Sequence, residues 1–430
     1  MPAFAPIDTG PSLMARRSGS LIPERYLALH DDDLDSPEFG SRRPRGQKPR
    51  AHTSTRRFRR LRYLIVIPLL GFFLFVWSFL GALSAPGNQS LTAKWADWFR
   101  AHHMAFVINP LEAAYYSHTA PAKGGAPKAL NAIPKTVPIT ASNAAPKTVA
   151  LPKPANVPLV VSPALPGEGQ WQPVGPSVSG QAAMYEAQFR ADTVYTSEIT
   201  TAVWMDPKLL HLSLIPGLTE PGGTWSHPPY VTPAELPSTI AAFNGGFRFQ
   251  DANGGFYLDG KTAVPLRTGA ASLVFYKNGS VNVGAWGTEV TMTPNVVSVL
   301  QNLVPMVDNG QVAASATYND TTVWGATLGA SVVVARSGVG VTANGALVYV
   351  AGPALTARTL AESLQRAGAV RAMTLDINPE WVTFNFFNHP NPANPSQVQP
   401  QKLYPQMQRP ATRYLGPTKE SRDFITVSLP

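Results

Sequence analysis

The chain of 430 residues contains no cysteine. That absence removes a disulfide framework, a thiol nucleophile and any thiolate-ligated metal from consideration. Acidic residues are missing from positions 41–62, which carry ten Lys/Arg, and charge of either sign is missing from 63–93. Positions 119–167 lack both acidic and aromatic residues. No His-Glu-x-x-His pattern or comparable ligand cluster occurs. A dinucleotide loop is also missing, because Ala343 stands where Gly338-x-Gly340 would need its third glycine and Asn344-Gly345 follows as a turn. The net charge of +9 is local: residues 1–85 hold 13 basic and 7 acidic residues, leaving 22 basic and 19 acidic of the chain's 35 and 26 for the remainder. A nucleic-acid partner therefore has no electrostatic support in the main part of the chain.

The uncharged stretch reads as an anchor. Residues 63–85 form an apolar run of the roughly 20 residues needed to cross a bilayer. The basic residues before it, Arg56, Arg57, Arg59, Arg60 and Arg62 among them, place the N-terminus in the cytoplasm and the C-terminus outside. They also suit anionic lipid headgroups. A cleaved signal peptide ending near Ala82 and Ser84 is the alternative. The run exceeds a signal's usual apolar core, and a long tail precedes it, so an uncleaved signal anchor is expected.

Composition then divides the chain. Residues 1–62 read as a disordered basic tail. Residues 95–118, with Trp95, Trp98, Phe99, Met104 and Phe106 near helical spacing, read as an amphipathic juxtamembrane helix with His102 and His103 on its polar face. Residues 119–168 hold ten prolines and read as an extended linker. Residues 171–430 have globular composition, and the expected class is α+β: a mixed, strand-rich C-terminal domain preceded by one transmembrane helix.

Within that domain, strands are expected over 193–205, 209–215 and 240–243. Asn278-Gly279 and Asn344-Gly345 each mark a hairpin. A helix is expected over 358–369 with a capping box from Thr359 to Glu362 and a stop at Gly368. It leads into a strand over 370–377. A second helix is expected over 294–304.

Three segments bear chemistry. Asn244-Gly245-Gly246 ends an apolar strand, and glycines there permit positive φ and close approach of backbone N–H groups to an anion. Arg248 follows. Arg336 and Ser337 end another strand, where they would face a site. Asp376 ends a buried strand, and Glu380 lies in the turn beyond it; paired carboxyls are what glycoside hydrolysis uses as acid and base or nucleophile. Asp251 and Asp259 are candidate ligands for a hard divalent cation. His227 and His389 sit in Pro-rich loops and read as surface residues.

In their order these segments resemble the phosphodiester glycosidase family. The resemblance covers about 190–430 and rests on AFNGGF followed by GFYLDGK, on ARSGVGVTANGALVYVAG, and on LTARTLAESLQRAGAVRAMTLD. The family's Asp-Gly-Gly-Gly-Ser is here Asp376-Ile377-Asn378-Pro379-Glu380, and Ser337 replaces a threonine. The resemblance implies hydrolysis of a sugar-1-phosphodiester. Asp376 and Glu380 would be catalytic, Asn244 would orient a sugar hydroxyl, and Gly245, Gly246, Arg248 and Arg336 with Ser337 would bind the substrate. An envelope polymer is the expected substrate class. The alternative is a non-catalytic envelope-glycan binding module with Trp324, Trp381 and Phe384 as stacking platforms.

Overall fold

The computed structural model describes the backbone of residues 54–84, scattered residues between 94 and 133, and residues 149–430 apart from 326–331 and 392; side chains are described from residue 63 onward. The tail over 1–53 and the linker centre over 134–148 lie outside the described residues.

Helix α1 spans Ser54–Ser84, and its segment Tyr63–Ser84 is long and apolar enough to cross a membrane. The expected helix over 95–118 is not continuous. Its described residues are helical on either side of a turn at His102 and His103, where His103 has φ 58°. His102 is not turned to solvent alone. It stacks on Trp98, and its Nδ1 lies 2.8 Å from the Trp98 carbonyl.

The C-terminal part is built on three sheets in which every ladder is antiparallel. The first has eight strands: β1 (Gln172–Val178), β2 (Gln181–Phe189), β3 (Thr200–Met205), β14 (Leu347–Leu355), β13 (Val334–Thr342), β15 (Ala369–Thr374), β11 (Val307–Asp308) and β12 (Gln311–Val312), in that order. The second has the order β7 (Lys261–Val264), β6 (Phe256–Leu258), β10 (Val296–Gln301), β8 (Ala271–Tyr276) and β9 (Val281–Ala285). The third has the order β17 (Gln399–Lys402), β16 (Phe384–Asn388), β5 (Thr239–Asn244), β18 (Phe424–Ser428) and β4 (His211–Ile215). Three one-turn helices, α2 (Phe249–Ala252), α3 (Ala314–Thr317) and α4 (Thr321–Trp324), lie between strands. Helix α5 (Ala357–Arg366) packs Leu360, Ala361 and Leu364 into an apolar cluster with Val348, Val350 and Trp324. The main core takes Phe243, Phe384 and Ile425 from the third sheet, Val339, Tyr349 and Met373 from the first, and Phe256, Leu273 and Leu300 from the second. The fold is thus strand-rich with a few helices.

Both Asn-Gly hairpins form, as β8–β9 and β13–β14. Other expectations shift. The segment 294–304 is not a helix: Val296–Gln301 is strand β10, clamped between β6 and β8. Its adjacent β-branched valines fit a ladder better than a helical turn. Only Thr200–Met205 of 193–205 is strand. The preceding residues turn, because the Asp192 carboxylate accepts from Val194 N and Tyr195 N at 2.7 Å each. The N-cap of α5 is Thr356, whose box partner is Thr359, while Glu362 instead pairs with Arg358 at 2.7 Å. Gly368 does end this region, with φ 99°. Hairpin β1–β2, turning at Ser179-Gly180, was not anticipated.

The linker also needs correction. Leu151 and Val157 are buried in the α5 cluster, and Glu168 forms a buried ion pair with Arg190 at 2.7 Å. Residues 149–168 are thus part of the domain's packed surface, not a free spacer. A compositional argument misses this because a proline-rich segment needs only a few apolar residues to be held against an existing core.

Candidate active site

The site lies where ends of the first and third sheets meet. Asn244 is the last residue of β5. Its Oδ1 accepts from Thr383 N at 3.1 Å and Tyr349 Oη at 3.1 Å, and its amide donates to Ser337 Oγ at 3.1 Å and to the Gly245 carbonyl at 2.8 Å. With these bonds Asn244 ties β5 to β13 and β14. Its amide is spent on the protein and is not presented to a sugar hydroxyl. Ser337 Oγ also accepts from Asp376 N at 3.2 Å, and Ser337 N donates to the Asp376 carbonyl at 2.8 Å. Asn244, Ser337 and Asp376 thus converge, all buried.

Asp376 follows β15. Its Oδ1 accepts from Asn378 N at 2.8 Å, which closes the turn, and its Oδ2 lies 3.1 Å from Arg422 Nη1. Burial raises the Asp376 pKa, and the Arg422 charge opposes that rise without cancelling it. Arg422 sits just before β18. It also donates to the Gly246 carbonyl and stacks 4.4 Å from the Trp381 ring centre. Arg413 stacks on the same ring at 4.3 Å and Arg409 at 5.1 Å. Three guanidinium groups around one indole concentrate positive charge beside Asp376.

Gly245 and Gly246 are glycines for a reason other than the one expected. Neither is among the positive-φ glycines. A Cβ on Gly245 would instead fall 1.7 Å from Asp423 Oδ2, and one on Gly246 would fall 3.2 Å from Asn302. Asn302 is fully buried and donates to the Thr374 and Leu375 carbonyls at 3.0 and 2.8 Å, holding the strand that carries Asp376.

Two neighbouring hollows share Asp376, Trp381 and Arg422 in their walls. An open groove of about 830 Å³ is bordered further by Phe247, Arg248, Asp251 and Ile377. An inner cavity of about 10 Å³ on the same measure lies behind it, walled by Asn244, Gly245, Gly246, Arg413, Tyr414 and Asp423.

Not every expected residue arrives here. Arg336 is 1% exposed, and its guanidinium donates to the Leu355, Trp324 and Val332 carbonyls at 3.0, 3.4 and 3.1 Å. It ties the ends of strands together and borders neither hollow. Glu380 turns away from Asp376: its Oε2 lies 3.1 Å from Arg409, and it too borders neither hollow. Asn378 accepts from Glu380 N at 2.9 Å, so the turn directs the two acids to different arginines. Trp324 and Phe384 are core residues, 1% and 0% exposed, and cannot serve as platforms. His389 is buried, with its ring nitrogens against the Pro395 and Thr239 carbonyls, and His227 pairs with Glu235 at 2.6 Å. Asp251 borders the groove, while Asp259 occupies the β6–β7 turn with φ 48°. Among the described residues no group of three His, Cys, Asp or Glu is placed to hold a metal ion.

The residues that sequence reasoning missed are Arg422, Asp423, Arg413 and Asn302. The available signal was slight: a charged Arg-Asp pair directly before the apolar run Phe424–Val427.

Residues 237–376 match the phosphodiester glycosidase family. The matched stretch carries Asn244, Gly245, Gly246, Ser337 and Asp376, and it stops short of Trp381, Arg422 and Asp423. No curated protein matches the chain. Among solved structures, the zebrafish N-acetylglucosamine-1-phosphodiester alpha-N-acetylglucosaminidase catalytic domain, auto-inhibited by its pro-peptide, is similar at 15% identity and TM-score 0.36, over 58% of this chain and 84% of that one. A hypothetical protein from Synechocystis is similar at 13% identity and TM-score 0.33, over 59% and 64%. An exported protein from Burkholderia pseudomallei is similar at 12% identity and TM-score 0.29, over 54% and 74%.

Proposed function

We propose that the protein is a membrane-anchored, extracytoplasmic hydrolase that cleaves the glycosidic bond of a sugar-1-phosphodiester, with an envelope polymer as its substrate class. The observation that carries this reading is the Asp376–Arg422 pair on the floor of the groove, at the end of the family-matched segment. A phosphodiester brings a carboxylate-repelling charge, so the site needs cations. Arg422 and Arg413 beside the inner cavity and Arg248 at the groove border supply them. Asp376 is then the carboxyl nearest the reacting centre, acting as general acid or base.

The basic tail lies in the cytoplasm, Tyr63–Ser84 spans the bilayer, and the strand-rich domain stands outside it. Support comes from the length and apolarity of the helix and from the arginines before it. The purified chain in detergent is expected to release free sugar from a model sugar-1-phosphodiester, and Asp376→Asn to abolish release. Unchanged turnover in that variant would remove Asp376 from the mechanism. A glycan-binding module is the second reading. The burial of Trp324 and Phe384 and the guanidinium groups stacked on Trp381 weigh against it; glycan binding with no turnover under any condition would select it.

A further inference from the structure

Asp423 is a buried carboxyl that the matched segment does not include. It is 3% exposed, and neither of its carboxylate oxygens accepts a hydrogen bond of normal geometry among the described residues. A buried polar group left in that state needs a reason. The ladder explains its placement. β18 pairs with β5 with Phe424 opposite Asn244, which sets Asp423 against Gly245, and Gly245 N donates to the Asp423 carbonyl at 3.1 Å. Lacking a side chain, Gly245 leaves the carboxyl its position.

The carboxyl borders the inner cavity, whose volume of about 10 Å³ is the room of one water. Asp376, Arg413 and Arg422 supply further polar walls, enough partners to hold a water in place. Because Asp376, Trp381 and Arg422 border both hollows, a water held there stands next to whatever lies on the groove floor.

We propose that Asp423 is the general base that holds and deprotonates the hydrolytic water of this site. The proposal rests on the phosphodiester glycosidase reading. In the step, the water oxygen bonds to the anomeric carbon as its proton passes to the Asp423 carboxylate. The bond between the anomeric carbon and the phosphate oxygen breaks, and its electron pair leaves with the phosphate. The products are the free sugar and a phosphomonoester, whose new negative charge meets Arg422. Asp423 then gives its proton to solvent. A phosphate monoester leaves without being protonated, so one base suffices; Asp423 takes the acid–base role assigned above to Asp376, and Asp376 instead stabilises positive charge growing at the anomeric carbon. Burial, with a smaller push from the Glu220 charge, moves the Asp423 carboxyl up to about 7 against the pull of Arg422 and of the Gly246 N–H. A base in that range works best near neutral pH.

The test uses the full chain in detergent with a sugar-1-phosphodiester. Asp423→Asn is expected to lower kcat by roughly 10²- to 10⁴-fold with substrate Kd unchanged, and to lose the rise in rate with pH near 7. Azide needs no base. It is expected to restore turnover to Asp423→Ala as glycosyl azide and not to Asp376→Ala. Wild-type rate and pH profile in Asp423→Asn would overturn the proposal. So would failure of azide to rescue an Asp423→Ala protein that melts like wild type and binds substrate. If the wild type releases no sugar, the glycosidase reading falls and this proposal with it; an active wild type with an active Asp423→Asn removes the proposal alone.

Discussion

The Asp423 carboxylate occupies the place that a side chain on Gly245 would take: a Cβ there falls 1.7 Å from Oδ2 and 2.7 Å from the Asp423 carbonyl oxygen. The strand end that carries Asn244 and the strand start that carries Arg422 are thus pressed together with no tolerance for a methyl group.

Gly245→Ala is accordingly expected to destabilise the domain by about 1–3 kcal/mol or more, the usual cost of overpacking. A lowered thermal midpoint, with turnover lost even below that midpoint, checks it. A variant that melts like wild type would mean that β5 and β18 separate without cost.

Arg422→Gln removes the partner of a buried carboxyl and, on the proposed reading, the cation that meets the phosphate. Turnover of a sugar-1-phosphodiester is expected to fall at least 10²-fold, while a neutral aryl glycoside of the same sugar loses far less. Equal losses on the two substrates would make Arg422 a structural residue only.

Glu168→Gln leaves Arg190 buried without its ion pair; in the wild type the two side chains are 1% and 4% exposed. Loss of one partner of such a pair costs about 3–5 kcal/mol. Burial acts to raise the Glu168 pKa, but hydrogen bonds from Arg190 and Leu165 N outweigh it, and the net pKa lies below the usual range. Its contribution is therefore complete above the unfolded carboxyl's pKa and lost as pH falls through the lower folded value. Denaturant titration of wild type and variant from pH 3 to pH 6 checks both statements. A domain begun at residue 171 is expected to be less stable than one begun near 149.

Two other carboxyls act in the opposite sense. Burial lifts Asp423 to about 7 and Glu186 to about 7, the latter against a hydrogen bond from Gln188. Between about pH 4, where the unfolded groups ionise, and pH 7, the folded state binds more protons than the unfolded one. Stability is expected to decline as pH rises across that window. Asp423→Asn and Glu186→Gln should each flatten the slope. A slope unchanged in the double variant would place the titration elsewhere.

The apolar helix Tyr63–Ser84, both Asn-Gly hairpins, helix α5 and the positions of Asn244, Ser337 and Asp376 were legible in the sequence. Each depends on neighbours along the chain. An apolar run, a turn dipeptide and a helix cap need only adjacent residues to state their preference. The strand over 296–301 was misread because an apolar β-branched stretch of that length suits a buried strand as well as a helix, and only pairing with β6 and β8 decides between them. Asp376 and Glu380 were expected to converge through a turn, yet the Asn378 turn sends one acid to Arg422 and the other to Arg409. Arg336, at the end of a strand, was an equally good candidate until burial assigned its donors to three carbonyls. Arg422 and Asp423 stand 46 and 47 residues beyond Asp376 along the chain, and no local pattern announces them. The sequence by itself determined where the long apolar helix lies and where the Asn-Gly hairpins turn, since those are contests between a segment and its solvent. Tertiary structure alone decided which charges meet, since that depends on β18 lying beside β5, a long-range pairing that neither segment specifies alone.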